Sequence, residues 1–305
     1  RDCCTNSKHR VYCSVVWQKI AWLPLILLFF SARPSRLLER KNNIEHRTEY
    51  LCLKHFIRQG ESLMMTNFFR SVVFYLGYVL GMMIFVTLVI PPCTFLSFEK
   101  RYFYLSRGNV FVIWWARIAC GIRYEVEGLG NVPEQACVVV SNHQSAWETY
   151  LLGLLFMPQA TVLKKELTRI PLFGWALSMA DPIAIDRSKP ALALKQLLKQ
   201  GKARLAAGIW VMIYPEGTRV RPGKSGQFNK GAAALASNAG VPLLPIAHNA
   251  GNFWPAGKFS KRSGLVKLVI GQPITTMNRS RDDVHNEMEA WIRQTSEALK
   301  VAKLY

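Results

Sequence analysis

From Ser71 to Phe98 the chain carries no charged side chain, with Arg70 before the stretch and Glu99, Lys100 and Arg101 after it. So long an apolar run must be buried in protein or in lipid, and that limits the possible folds more than any other feature. Val72 to Ile90, read as a helix, spans roughly 28 Å, close to the hydrocarbon thickness of a bilayer. Pro91-Pro92 then forbids simple continuation. A second apolar stretch, Val110 to Ile122, holds Trp114 and Trp115 but also Arg117. It reads either as an interfacial helix or as a buried core helix. Residues 65–122 are thus expected to form an N-terminal membrane-anchoring helical segment.

The residues ahead of it differ in character. Ala21 to Phe30 is apolar but broken by Pro24, and ten residues is too short to span a bilayer. Met64 and Met65, directly before the anchor, are natural alternative starts, so residues 1–64 are expected to be an upstream extension or disordered. Over the whole chain 39 basic residues face 19 acidic ones, a formal +20. That surplus points to an anionic partner: nucleic acid, a phospholipid surface or a phosphorylated substrate. Seven cysteines, an odd number without C-x-x-C or metal-ligand spacing, favour a reduced, cytosol-facing compartment.

Residues 123–305 alternate short apolar runs with helical patterns, the signature of an α/β domain with a mixed sheet flanked by helices. Strands are expected at 123–127, 136–141, 160–164, 182–186, 209–214, 242–248 and 265–271. Helices are expected from Pro190 to Ala207, from Asn229 to Ala239 and from about Arg281 to Leu304. In the last, Val284, Met288, Trp291, Ile292 and Leu299 form a packing stripe.

The strand 136–141 delivers Asn142, His143 and, five residues after the histidine, Glu148. Neutral imidazole is suited to taking a proton near pH 7, and a carboxylate can hold its ring in the required tautomer. Five helical residues turn through about 500°, leaving two side chains roughly 140° apart. The pair therefore meets only if Asn142 to Ser145 forms a turn and a helix begins near Ala146 or Trp147, capped by Asn142 or Ser145.

Asn-His-x4-acid after a strand resembles the first motif of the glycerolipid acyltransferases, the family of 1-acyl-glycerol-3-phosphate acyltransferase. Asp181-Pro-Ile-Ala-Ile-Asp186-Arg187 resembles the second, Tyr214-Pro215-Glu216-Gly217-Thr218-Arg219 the third and Val241-Pro242-Leu243-Leu244-Pro245-Ile246 the fourth. Lys164-Lys165-Glu166-Leu167, with Pro171 and Gly174 beyond, is similar to the intervening K-E-L element. The resemblance covers about residues 70–280. One departure is that Glu148 stands where the family has aspartate; its charge is kept and its reach is longer by a methylene.

The resemblance implies transfer of an acyl group from acyl-CoA or acyl-carrier protein to the free hydroxyl of lysophosphatidic acid, giving phosphatidic acid. His143 would be the general base and Glu148 the group that stabilises its imidazolium. Arg219, then Arg187 and Lys165, would hold the phosphate, since fixed cations and arginine's planar fork suit it. Glu216 would orient the glycerol hydroxyl or the loop, and Gly217 would permit a tight turn. Backbone amides or Asn142 are the candidates for oxyanion stabilisation. No cofactor or metal is implied, and no G-x-S-x-G elbow is present, so direct transfer is the simpler expectation. Gly223-Lys224-Ser225 is not a phosphate loop, because that pattern requires glycine where Thr218 stands. His248 is expected to be structural.

The same chemistry on glycerol-3-phosphate, another lysophospholipid or a lyso-ornithine lipid is the alternative. A membrane-anchored protein binding nucleic acid or anionic lipid is a third reading; no zinc spacing or RNP-like pattern supports it, and nucleic acid is not an expected partner. Basic residues flank the anchor on both sides. A bacterial-type inner membrane with the catalytic domain facing the cytoplasm is expected, reached by a re-entrant or interfacial anchor or by an N-outside span.

Overall fold

The computed structural model describes residues 44–301 except 171, 172 and 225. The apolar run Ala21 to Phe30, Pro171, Ser225 and the end of the last helix past Val301 lie outside the described residues. The chain divides into two compact units, residues 1–60 and 61–305. Of the first, the described residues are the helical ones from Ile44 onward.

The elements, in order, are α1 (Ile44–Leu88), the short α2 (Ile90–Cys93), α3 (Phe98–Cys120), β1 (Ile122–Glu127), β2 (Val138–Ser141), α4 (Trp147–Leu155), β3 (Gln159–Lys164), α5 (Phe173–Met179), β4 (Ile183–Ile185), α6 (Pro190–Ala206), β5 (Trp210–Ile213), α7 (Gly231–Ala239), β6 (Leu243–His248), β7 (Gly264–Ile270) and α8 (Arg281–Val301). The seven strands form one sheet in the order β1-β7-β6-β2-β5-β3-β4. From β6 to β4 all neighbours are parallel; β7 runs antiparallel to β6 and carries β1 parallel to itself. The carboxyl ends of β2 to β6 consequently share one edge of the sheet.

Alternation along each strand divides the core into two layers. Val139, Met212, Leu244 and Val266 point to one face and pack with residues of α1, α3 and α4. Val138, Val140, Val211, Ile213 and Leu243 point to the other and pack with α6, α7 and α8. In α6 the buried positions are Ala193, Leu197, Gly201 and Leu205, an i+4 stripe. Leu192 and Leu194 are instead exposed. The α8 stripe is as read from the sequence: Val284, Met288, Ile292 and Leu299 are buried and Trp291 packs beside them.

The apolar segment departs from a free span. Met64–Leu88 is 25 residues with mean hydropathy 2.1, long and apolar enough to cross a membrane. Yet Asn67, Ser71 and Phe74 are buried against the domain. Phe74 meets Trp254 edge-on at 4.8 Å, and full burial of such a ring contributes about 2–3 kcal/mol. The helix pairs with α3, where the Trp115 indole donates to the Phe74 carbonyl at 2.9 Å. Two glycines make the approach possible: a Cβ at Gly77 would strike Trp115, and one at Gly81 would strike Phe111. The opposite side, including Phe69, Val73, Leu76, Leu80, Met83 and Leu88, is exposed. Pro91 and Pro92 fall in the first turn of α2, where a missing N–H costs nothing, and the chain then turns back into α3. The second apolar stretch is both things the sequence allowed: Val112, Ile113 and Ala116 are core, while Val110, Trp114 and Ile118 are exposed.

Candidate active site

β2 ends at Ser141, and α4 starts only at Trp147. Between them the backbone is irregular, so the bend that the pair requires is present. Ser145 ends the turn by accepting from the Trp147 amide at 3.0 Å. Glu148 reaches back across it, and its Oε1 accepts from the amides of Gln144 at 2.9 Å and Ser145 at 2.8 Å. This is one half of a capping box on Ser145-x-x-Glu148, a signal legible in the sequence that the strand-and-histidine reading passed over. The same Oε1 stands 2.9 Å from His143 Nδ1.

Glu148 is fully buried, and its Oε2 has no hydrogen-bond partner among the described residues. Burial pushes its pKa up, but His248, His143 and the Ser145 amide together outweigh that and hold it below the ordinary value. An ionised Glu148 fixes Nδ1 of His143 as the protonated nitrogen and leaves Nε2 free to accept. The His143 side chain is 14% exposed, the open side of an otherwise enclosed pair. Its ring stacks on Tyr214 at 4.2 Å and 25°.

The loop after β5 grips the histidine's backbone from both sides. His143 N–H donates to Glu216 Oε2 at 2.5 Å, and the Val220 amide donates to the His143 carbonyl at 2.7 Å. Between those anchors the chain turns at Gly217, whose φ is +67° and whose amide donates to the Tyr214 carbonyl at 3.0 Å. Arg219 is therefore carried beside His143. It is exposed and makes no ion pair with the described residues; its charge acts on Tyr214 and Tyr150. Arg187, from the end of β4, donates to the Gly217 carbonyl and ties that turn to the neighbouring strand. Burial lowers the pKa of Arg187, against the raising effect of Glu166. Burial likewise pushes Glu216 up to about 7, and the charge of Glu148 adds to the shift.

Of the residues singled out from the sequence, the structure brings His143, Glu148, Glu216, Gly217, Arg187 and Arg219 together. Lys165 opens the one-turn helix Lys165–Arg169 after β3, is exposed, and acts on Asp186 rather than on the dyad. Asn142, a candidate for oxyanion stabilisation, has one amide N–H and its carbonyl oxygen committed elsewhere. Nδ2 donates to the His248 carbonyl at 3.0 Å, and Oδ1 accepts from the His248 amide at 3.1 Å.

His248, read from the sequence as structural, is held inside the fold behind the dyad. It is fully buried, its Nε2 lies 2.8 Å from the Asn142 carbonyl, and its Nδ1 accepts from the Ala250 amide at 3.2 Å. Nε2 also sits 4.0 Å from Glu148 Oε1. Burial lowers its pKa, against the raising charge of Glu148, and the geometry puts a hydrogen on Nε2, facing the Asn142 carbonyl. The link joins residues 106 apart in sequence, which is why no local pattern announced it.

Among the described residues no group of His, Cys, Asp and Glu is placed to hold a metal ion. The arrangement offers a base with an oriented ring, a buried carboxylate behind it, and a cationic, partly open rim at the carboxyl edge of a parallel sheet, where α/β folds bind ligands. Its chemical capacity is removal of a proton from a hydroxyl held close to positive charge.

Residues 123–249 match the family described as Acyltransferase. The 1-acyl-sn-glycerol-3-phosphate acyltransferase of Pseudomonas aeruginosa is 47% identical over 230 residues, covering 74% of this chain and 90% of that protein. The human 1-acyl-sn-glycerol-3-phosphate acyltransferase alpha is 31% identical over 223 residues, covering 72% and 76%. In fold, the chain resembles the crystal structure of the 1-acyl-sn-glycerophosphate (LPA) acyltransferase, PlsC, from Thermotoga maritima. The TM-score is 0.65 at 24% identity, over 77% of this chain and 97% of that one.

Proposed function

Since the chain belongs to the family of 1-acyl-sn-glycerol-3-phosphate acyltransferases and is an acyltransferase, we propose that it acylates the sn-2 hydroxyl of lysophosphatidic acid through His143 and Glu148. The observation that carries the assignment is the 2.9 Å contact between His143 Nδ1 and a fully buried Glu148. Glu148 keeps the proton on Nδ1, and Nε2 takes the proton of the acceptor hydroxyl as its oxygen attacks the thioester carbonyl. The C–O bond forms and the carbonyl electrons move to oxygen. When they return, the C–S bond breaks, and the imidazolium gives its proton to the departing thiolate. Atoms and charge balance with no covalent enzyme intermediate and no cofactor.

Arg219 is the phosphate-binding group this reading favours, because the Glu216–Val220 clamp brings it beside the base and no ion pair with the described residues neutralises it. Arg187 serves first through the Gly217 carbonyl, so its effect on phosphate is partly that of a positioning group. Lys165 would meet only a phosphate reaching toward the ends of β3 and β4. Glu216 holds the catalytic backbone, which favours its loop-orienting role over contact with the glycerol.

The exposed apolar face of α1 and the exposed residues of α3 support attachment to a membrane as a paired hairpin docked on the domain; an inner membrane with the domain on its cytoplasmic side belongs to the proposal. Acyl-CoA and acyl-carrier protein are the two donors this reading admits.

The test is phosphatidate formation by the purified protein from lysophosphatidic acid and labelled acyl-CoA or acyl-carrier protein. Glycerol-3-phosphate and lysophosphatidylethanolamine serve as competing acceptors. Turnover of lysophosphatidic acid at least tenfold above both is expected; preference for either competitor would overturn the acceptor assignment.

A further inference from the structure

The outer face of α6 lies on the opposite side of the sheet from the apolar hairpin of α1 and α3. It bounds an open groove of about 660 Å³ lined by Ala191, Leu194, Leu198 and Ala203, with Lys195, Lys199 and Lys202 along it. The lysines recur at i, i+4 and i+7 and so share one helix face. All three are exposed and none forms an ion pair with the described residues; Arg204 is instead bonded to Asp181 at 2.6 Å. From Pro190 to Ala206 the helix holds no acidic residue. Leu192 and Leu194 stand exposed beside the lysines, at 44% and 42%. An unneutralised basic row with apolar side chains between its members matches an acidic helical protein surface better than it matches water.

Position narrows the occupant. A bilayer bound by the hairpin meets the other layer of the molecule, so α6 faces away from it. The groove begins in the first turn of α6, a few residues past Arg187, which is bonded to the turn that carries Glu216 and Arg219. A protein seated on α6 therefore has the candidate active site at one end of its footprint.

We propose that the α6 face is the docking surface for a small acidic carrier protein that presents the acyl chain as a thioester. This rests on the acyl-transfer reading above and names which donor has a built surface. It separates the donor classes physically: a carrier protein uses α6, while a coenzyme thioester has no need of it.

The experiment compares the full chain in detergent micelles with a K195E/K199E/K202E variant and a K195R/K199R/K202R variant. Donors are palmitoylated acyl-carrier protein and palmitoyl-CoA, with lysophosphatidic acid as acceptor. Binding of fluorescently labelled palmitoyl carrier protein is measured separately, without turnover. The charge-reversed variant should raise the carrier-protein KM by about tenfold or more and weaken its binding equally. Palmitoyl-CoA kinetics and thermal midpoint should stay unchanged, and the arginine variant should behave like the parent. Unchanged carrier-protein binding in the reversed variant overturns the proposal. So does an equal loss with palmitoyl-CoA, or a loss confined to sedimentation with anionic phosphatidylglycerol vesicles, which would make the face a lipid contact. If the parent binds carrier protein through these lysines but transfers to no lysolipid, docking stands and the reaction assignment fails.

Discussion

Glu148 combines three roles in one oxygen, which orients His143, closes the turn before α4 and accepts two backbone amides. Its length makes this possible, since it sits inside the first turn of the helix and reaches back over the bend. Glu148→Gln keeps the shape but removes the charge that stabilises imidazolium. A fall in kcat of about 10²–10⁴ with little change in acceptor KM is expected from steady-state kinetics. Glu216 offers a test by pH. Its folded pKa of about 7 lies above the unfolded value near 4.5, so the native state holds the extra proton and stability falls as pH rises from about 4.5 to 7. Glu216→Gln should flatten that fall, worth on the order of 1–3 kcal/mol, in denaturant titrations at pH 5 and pH 8. The bend at His143 was legible because helical geometry alone forbade any other meeting of the pair. The grip of Glu216 on the His143 amide was not, because nothing local shows that a carboxylate 73 residues away will point at a backbone N–H.

At the scale of elements, the strands were readable to within two residues, most directly β2, β5 and β6, which are short runs buried between two helical layers. The fate of the apolar segment was not readable. Its composition suits lipid and protein core equally, and its partner surface on α3 and the 253–261 loop is assembled from distant sequence. Gly81→Leu should force α3 away at Phe111 and destabilise the hairpin by about 1–3 kcal/mol, read as a lower thermal midpoint. The far end of this packing is Lys261, 1% exposed, whose Nζ bonds the Tyr75 hydroxyl at 2.6 Å and the Phe259 carbonyl at 2.9 Å. Burial pulls its pKa down to about 8. The unfolded chain then binds more protons between pH 8 and about 10.5, so parent stability should rise across that window. Lys261→Met should be flat there and near neutral at pH 7, because an apolar replacement removes the desolvation penalty along with the bonds.

At the largest scale, the three layers of residues 61–305 keep the surfaces apart. An apolar hairpin lies on one side, a basic helix on the other, and the dyad sits at the sheet edge between them. The net charge of +20 announced an anionic partner without saying where. Only the folded chain separates Arg219 beside the base from the lysine row on α6. Replacing Leu76 and Met83 on the exposed face of α1 by aspartate should move the protein from the membrane pellet to the supernatant in vesicle sedimentation while leaving circular dichroism unchanged.

The central claim is that His143 is the base. Single-turnover acylation of lysophosphatidic acid by His143→Ala, with near-native circular dichroism, tests it most directly. The rate should fall by about 10³ or more. A rate within a few-fold of the parent would contradict the dyad and require another base.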